Sequence, residues 1–132
     1  MHTATRGFRL PHTRSMDTQS LARSLNELLL LSTLARSRMH GYQMALDVEE
    51  RSGGFFTFNH GTLYPILHRL EKEGLIEGAW SEPGEGRARK EYGITPAGRQ
   101  YLRELRSEWA DLYRNLSRLI DDDAQQVRTS AA

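Results

Sequence analysis

The 132-residue sequence predicts a mainly α-helical fold with one small β-hairpin. Three observations lead there. Apolar residues recur at helical spacing in four separate stretches. Two short β-prone runs, "LIEGAW" (75–80) and "KEYGIT" (90–95), follow one another. The segment joining them, "SEPGEGRAR" (81–89), has the proline and glycine content of a turn. The length suits one domain with a modest core.

Taken in order, "SLARSLNELLLLSTLARS" (20–37) reads as a first helix, with Ser20 or Ser24 as its N-cap. Its central leucines, 28 to 31, point in all directions, as expected of a helix surrounded by others. A second helix is predicted in "MHGYQMALDVEERSGG" (39–54), with a mixed face of Tyr42, Ala45 or Leu46, and Val48 or Glu49. Gly53-Gly54 stops it, and "FFTF" (55–58) is a short extended connector. Asn59 then caps a third helix, running from about His60 to Glu73 and closed by Gly74. After the hairpin, Thr95 is placed as N-cap and Pro96 at the first position of a fourth helix.

Three helices followed by a hairpin is the order of a winged helix-turn-helix. In that arrangement the second helix braces, the third enters the major groove of DNA, and the hairpin reaches the neighbouring backbone or minor groove. The domain reading is a disordered basic arm over 1–19, a winged helix-turn-helix domain over 20–95, a dimerisation helix over 96–121 and a disordered tail over 122–132.

Charge is uneven. Residues 1–24 carry four arginines and one acid, residues 25–95 eight basic and ten acidic side chains, and residues 96–132 six of each, which leaves +1 overall. A nucleic-acid footprint must therefore be local. The absence of cysteine excludes disulfides, cysteine-based zinc sites and cysteine nucleophiles, and it fits a reducing, cytoplasmic compartment. The longest uninterrupted apolar stretch, Leu28 to Leu31, is far short of the ~18 residues of a membrane span. The start, "MHTATRGFRLPHTRS", has the basic, acid-free composition of a transit peptide but no apolar segment for secretion. It is read as a basic arm whose Arg6, Arg9 and Arg14 can touch DNA, with Met16 as an alternative start.

The third helix poses a problem. Leu63, Ile66, Leu67 and Leu70 share one apolar face, yet Pro65 sits among them. On a helical wheel Pro65 falls on the opposite side with Gly61, His68 and Lys72, flanked by Thr62, Tyr64 and Arg69. The carbonyl that its ring crowds belongs to Gly61, and it stands just past the first turn, so one early hydrogen bond is lost. Two roles are open for it. It can trim the leading edge so that the helix N-terminus approaches a phosphate-bearing surface, or it can simply stiffen the helix start.

"LLLLSTLA", "HGYQM", "GTLYPILHRLEKEGLI" and "GRARKEYGITPAG" together resemble the PadR family of bacterial transcriptional regulators, from about Leu25 to Leu119. A single C-terminal helix is similar to the small subfamily. The resemblance implies a homodimeric repressor, without enzymatic activity or cofactor, that binds double-stranded DNA at an inverted-repeat operator and can release it on binding a small molecule. It also implies that Tyr42, Thr62, Tyr64, Arg87, Arg89 and Lys90 lie at the DNA. One departure is Glu91-Tyr92, where the family commonly has two aromatics; the carboxylate weakens the pull of the wing on phosphate.

Read residue by residue, Tyr42 and Tyr64 are either core aromatics or hydroxyl donors to phosphate. Thr62 and His68 are the candidates for base edges. His60, Gly61 and Pro65 complete the leading edge, and Arg69 either meets phosphate or pairs with Glu73 four residues on. His60 and His68 are eight apart, not the spacing that puts two imidazoles on one metal, so no metal site is expected. No nucleophile–base pair or phosphate-cradling loop supports an enzyme. The competing class is a winged helix used only for protein contacts.

In the fourth helix Leu102, Leu105, Trp109, Leu112, Leu116 and Leu119 are spaced 3, 4, 3, 4, 3, a heptad seam. Such a stripe must pack on a partner chain, on the first helix, or on both. Trp109 is either core or, since its position resembles the central tryptophan in multidrug-sensing relatives of the family, a stacking platform for a flat aromatic effector between subunits.

Overall fold

A computed structural model describes residues 17–81 and 89–131, with side chains described through residue 122. Four helices surround a small antiparallel sheet. Helix α1 is Thr18–Leu34, β1 Met39–His40, α2 Gly41–Arg51, α3 His60–Lys72, β2 Ile76–Trp80, β3 Lys90–Ile94 and α4 Pro96–Ala131. The strand order is β1-β3-β2. Tyr92 of β3 stands opposite Met39 on one side and Gly78 on the other. This is the mainly helical winged helix-turn-helix that the sequence predicts, with a C-terminal helix.

Helix α1 starts two residues earlier than expected and its N-cap is Asp17, not Ser20 or Ser24. Ser20 instead donates its hydroxyl to Asp17 Oδ2 at 3.1 Å, and Ser24 is fully buried nearly two turns inside the helix. Among the four central leucines, Leu30 and Leu31 are fully buried and Leu28 and Leu29 half-buried, so the helix is sunk on two sides. The expected second helix over 39–54 is shorter, because Met39 and His40 are spent on β1 and pair with Tyr92 and Glu91. Its buried face is Gly41, Met44, Ala45 and Val48, whereas Tyr42 and Leu46 face outward. Left-handed glycines follow α2 (Gly53, φ 62°; Gly54, φ 84°) and α3 (Gly74, φ 78°), a conformation that costs glycine no Cβ clash.

Helix α3 begins as expected. Asn59 Oδ1 accepts the Thr62 backbone N–H at 2.8 Å. Leu63, Ile66, Leu67 and Leu70 are buried, and they join Leu30, Leu31, Leu34, Met44, Ile76, Tyr92, Leu102 and Leu105 in one continuous core. At the head of α4 the Thr95 hydroxyl accepts the Gly98 N–H at 3.0 Å and donates to the Gly74 carbonyl at 2.7 Å. One side chain thus caps α4 and pins it to the end of α3. The helix then runs past the expected end at 121 to Ala131, since no proline or glycine interrupts the sequence there. The expected tail over 122–132 is therefore helical through Ala131. Of the expected arm over 1–19, residues 18 and 19 belong to α1, and 1–16, with Arg6, Arg9 and Arg14, lie outside the described residues.

Candidate nucleic-acid interface

Apart from half-buried Arg69, what the wheel sends outward on α3 is outside. Gly61, Thr62, Tyr64, Pro65 and His68 are exposed, while the four aliphatic residues between them are core. Pro65 lies in the exposed row, where its missing N–H is lost to solvent-side backbone near the helix start. The front of α3 is therefore low in bulk at Gly61 and Pro65, and the N–H groups of His60 and Gly61 stand ahead of Thr62 and Leu63, whose N–H groups bond to Asn59.

Beside that edge stands an aromatic rail. His60 lies edge-on to Tyr42 (ring centroids 6.0 Å) and to Tyr64 (5.8 Å), so α2 and α3 are joined at their N-terminal ends by three rings. The Tyr64 ring lies across Gly41, where an added Cβ would come within 2.9 Å of Tyr64 Cε1. Glycine at 41 is what lets the two helix starts approach. Tyr42 is 54% exposed and Tyr64 41%, and neither hydroxyl has a partner among the described residues. The core reading of these tyrosines is set aside on that ground.

Two expected cations are otherwise engaged. Arg69 does not meet Glu73: its Nη2 is 3.0 Å from Oε2 of Glu27, a carboxylate of α1 that is 1% exposed. Glu73 pairs instead with Arg23 at 3.4 Å. Arg69 is thus a tie between α3 and α1 that keeps 30% of its side chain exposed. Its wheel position placed it at the flank, and the wheel contains no information about a carboxylate 42 residues away. Lys90 Nζ lies 2.9 Å from Glu71 Oε1 of α3, near the faces of Trp80 (5.7 Å) and Tyr92 (5.5 Å). The hydrogen bond to Glu71 raises the Lys90 pKa above its usual value, against the opposing effect of burial, and burial raises that of Tyr92. Lys90 thus braces the wing against α3. Arg89 is exposed at the top of β3, its N–H donating to Ser81 Oγ at 3.0 Å, and Arg87 lies outside the described residues.

Glu91, the departure from the expected wing pattern, is 3.2 Å from Arg38, which also reaches Glu77 at 3.5 Å. Its charge is balanced locally. Arg38, in the turn before β1, is a residue that sequence reasoning missed, because only the unforeseen β1–β3 pairing brings residues 38 and 91 together.

The heptad seam divides. Leu102 (2% exposed) and Leu105 (1%) are core residues of this subunit, which corrects their assignment to a dimer interface: α4 lays its first turns on α1. Trp109 is half-buried against the same core, with Nε1–H donating to Ser24 Oγ at 2.9 Å. Beyond it Leu112 is half-buried, and Leu116 (51%) and Leu119 (64%) are exposed with Tyr113 and Ile120.

Among the described residues no group of three or more metal-ligating side chains is gathered, and no helix is long and apolar enough to cross a membrane. A capped, exposed helix start braced by a second helix and flanked by a two-stranded wing defines a winged helix-turn-helix of the nucleic-acid-binding class. The description "Transcriptional regulator PadR-like family" matches residues 30–104. The chain belongs to this family, which is one of transcription regulators and not of enzymes. It is 38% identical over 94 residues to the transcriptional regulator Rv3488 of Mycobacterium tuberculosis, a match that covers 71% of this chain and 84% of that one. A crystal structure of a PadR family transcriptional regulator from Eggerthella lenta aligns with TM-score 0.65 and 30% identity, over 77% of this chain and 87% of that one. The negative transcriptional regulator PadR of Bacillus subtilis is 29% identical over 75 residues, 57% of this chain and 41% of that one. Its crystal structure in complex with operator DNA aligns with TM-score 0.56 and 28% identity, over 61% of this chain and 44% of that one.

Proposed function

We propose that the chain is a homodimeric, cytoplasmic repressor that places two copies of α3 in the major groove of an inverted-repeat operator. One observation carries the reading: the Gly61–Pro65 edge of α3 is exposed and slim, with Tyr42 and Tyr64 offering unsatisfied hydroxyls beside it. In this reading the tyrosine hydroxyls and the free N–H groups of the first turn hold phosphate, and Thr62 and His68 face base edges. Arg87 and Arg89 of the wing supply cations. The kinship with a regulator whose structure contains operator DNA supports the same assignment.

Dimerisation falls to the distal part of α4. Leu112, Leu116 and Leu119, with Tyr113 and Ile120, continue the seam after the subunit's own core ends, and a second copy covers them economically. Trp109 stands where the buried and exposed parts of that seam meet. A flat aromatic effector stacking there between subunits acts by preferring one dimer geometry over another, since equal affinity for both shifts nothing.

A second reading, a winged helix that binds only protein, draws on the pairing of its cations. Arg23, Arg36, Arg38, Arg51, Arg69 and Lys90 each lie against a carboxylate. Gel shift with DNA from upstream of the protein's own coding region separates the two. A DNA binder loses affinity with salt at a log–log slope of about −0.9 per phosphate neutralised; a protein-binding wing gives no shift at any salt.

A further inference from the structure

The interface leaves one buried ionisable group unexplained. Glu27 sits midway along α1 with its side chain 1% exposed, and each of its oxygens is taken by a different helix. Oε1 accepts the Tyr101 hydroxyl of α4 at 2.6 Å. Oε2 accepts Arg69 Nη2 of α3 at 3.0 Å and lies 3.5 Å from Arg23 Nε. Arg23 in turn reaches Glu73, just past the end of α3, at 3.4 Å. One turn before Glu27 on α1, fully buried Ser24 takes the Trp109 N–H of α4. Besides Thr95, which ties the head of α4 to the Gly74 carbonyl, and the half-exposed Arg23–Glu73 pair, two buried residues of α1 link it to α4 and α3.

Stability does not account for this. Desolvating a carboxylate and a guanidinium costs several kcal/mol, and well-packed aliphatic side chains of similar volume would commonly serve as well or better. Directional contacts fix something that aliphatic packing leaves free, namely the angle and register of one helix on another. We infer that Glu27 is a positioning residue: through Tyr101 and Arg69 it sets the orientation of the recognition helix relative to the C-terminal helix. This rests on the reading of α3 as the DNA-contacting element, and names how that site is regulated. Arg69 lies eight residues from Gly61, about 12 Å along the helix. A small rotation held at Arg69 therefore moves the leading edge against the groove. Any ligand or partner that shifts α4 near Trp109 displaces Tyr101 eight residues earlier on the same helix, and Glu27 passes the displacement to α3.

Tyr101→Phe removes one hydroxyl and keeps the ring, and Glu27→Gln keeps the shape and removes the charge. Amide hydrogen exchange on the free full-length protein should show residues 60–72 opening about tenfold faster in Tyr101→Phe, within the usual range of coupling between sites, with the β2–β3 amides unchanged. Gel shifts should show about a tenfold loss in the ratio of affinity for upstream DNA to that for a scrambled duplex, with affinity for the scrambled duplex unaltered. Arg69→Lys, which keeps the charge but not the planar fork, should fall between wild type and Glu27→Gln. Unchanged exchange in 60–72, or faster exchange spread evenly over the chain, overturns the inference. If the wild type binds no DNA, the functional reading falls, and the exchange result alone supports or overturns the coupling.

Discussion

The two parts of α4 carry the same heptad pattern and meet different fates. Leu102 and Leu105 are sealed into the core of their own subunit, while Leu116 and Leu119, about three and four turns beyond Leu105, are more than half exposed. Spacing alone made them one seam. What separates them is the length of α1, whose seventeen residues end before α4 does, so the last apolar turns of α4 project beyond the helix that covers the first. A helical stripe declares that it needs cover; only the topology says whose.

Substitutions can sharpen that contrast. Leu105→Ala should destabilise the subunit by about 2–5 kcal/mol, as large-to-small changes at buried leucines do, seen as a lowered midpoint in urea. Leu116→Glu with Leu119→Glu should do the reverse, leaving helical content by circular dichroism intact while sedimentation shifts to a single subunit. If the distal pair unfolds the chain and the proximal one dissociates it, the division is misdrawn. On the DNA side, Thr62→Ala should relax discrimination at one base position by about 1–3 kcal/mol, measured by competition among single-base operator variants. Trp109 lies at the boundary, and in a Trp80→Phe background its fluorescence should quench with flat aromatic ligands; silence across a broad panel removes the effector from the account. The smallest effect belongs to Glu71→Gln, at most about 1 kcal/mol for a partly exposed pair. The Lys90 pKa is raised in the folded chain, so that contribution is complete below 10.5 and fades as pH rises through the folded value. Wild type and variant should therefore differ in urea at neutral pH and converge in strong alkali.

Much of this was legible before any coordinates. Asn59, Gly74, Thr95 and Pro96 mark helix ends by local chemistry that needs no tertiary partner, and each behaves as expected. The outward row of α3, Pro65 included, followed from a period of 3.6. What escaped was set at long range. Two-residue β1 has no signal of its own and exists because β3 has a free edge. Arg69 and Lys90 looked like available cations until Glu27 and Glu71 were brought beside them, and the Arg38–Glu91 pair was not foreseen at all. Tyr101 reaches Glu27 across 74 residues for the same reason, whereas Arg23 lies only one turn before it.

The central claim is that two copies of α3 enter one duplex at a fixed interval. Hydroxyl-radical footprinting of the protein on DNA upstream of its own coding region tests it most directly. Two protected patches of equal strength should appear, centred about 34 Å apart along the helix axis. A single patch, or an unprotected ladder even at low salt, would contradict it.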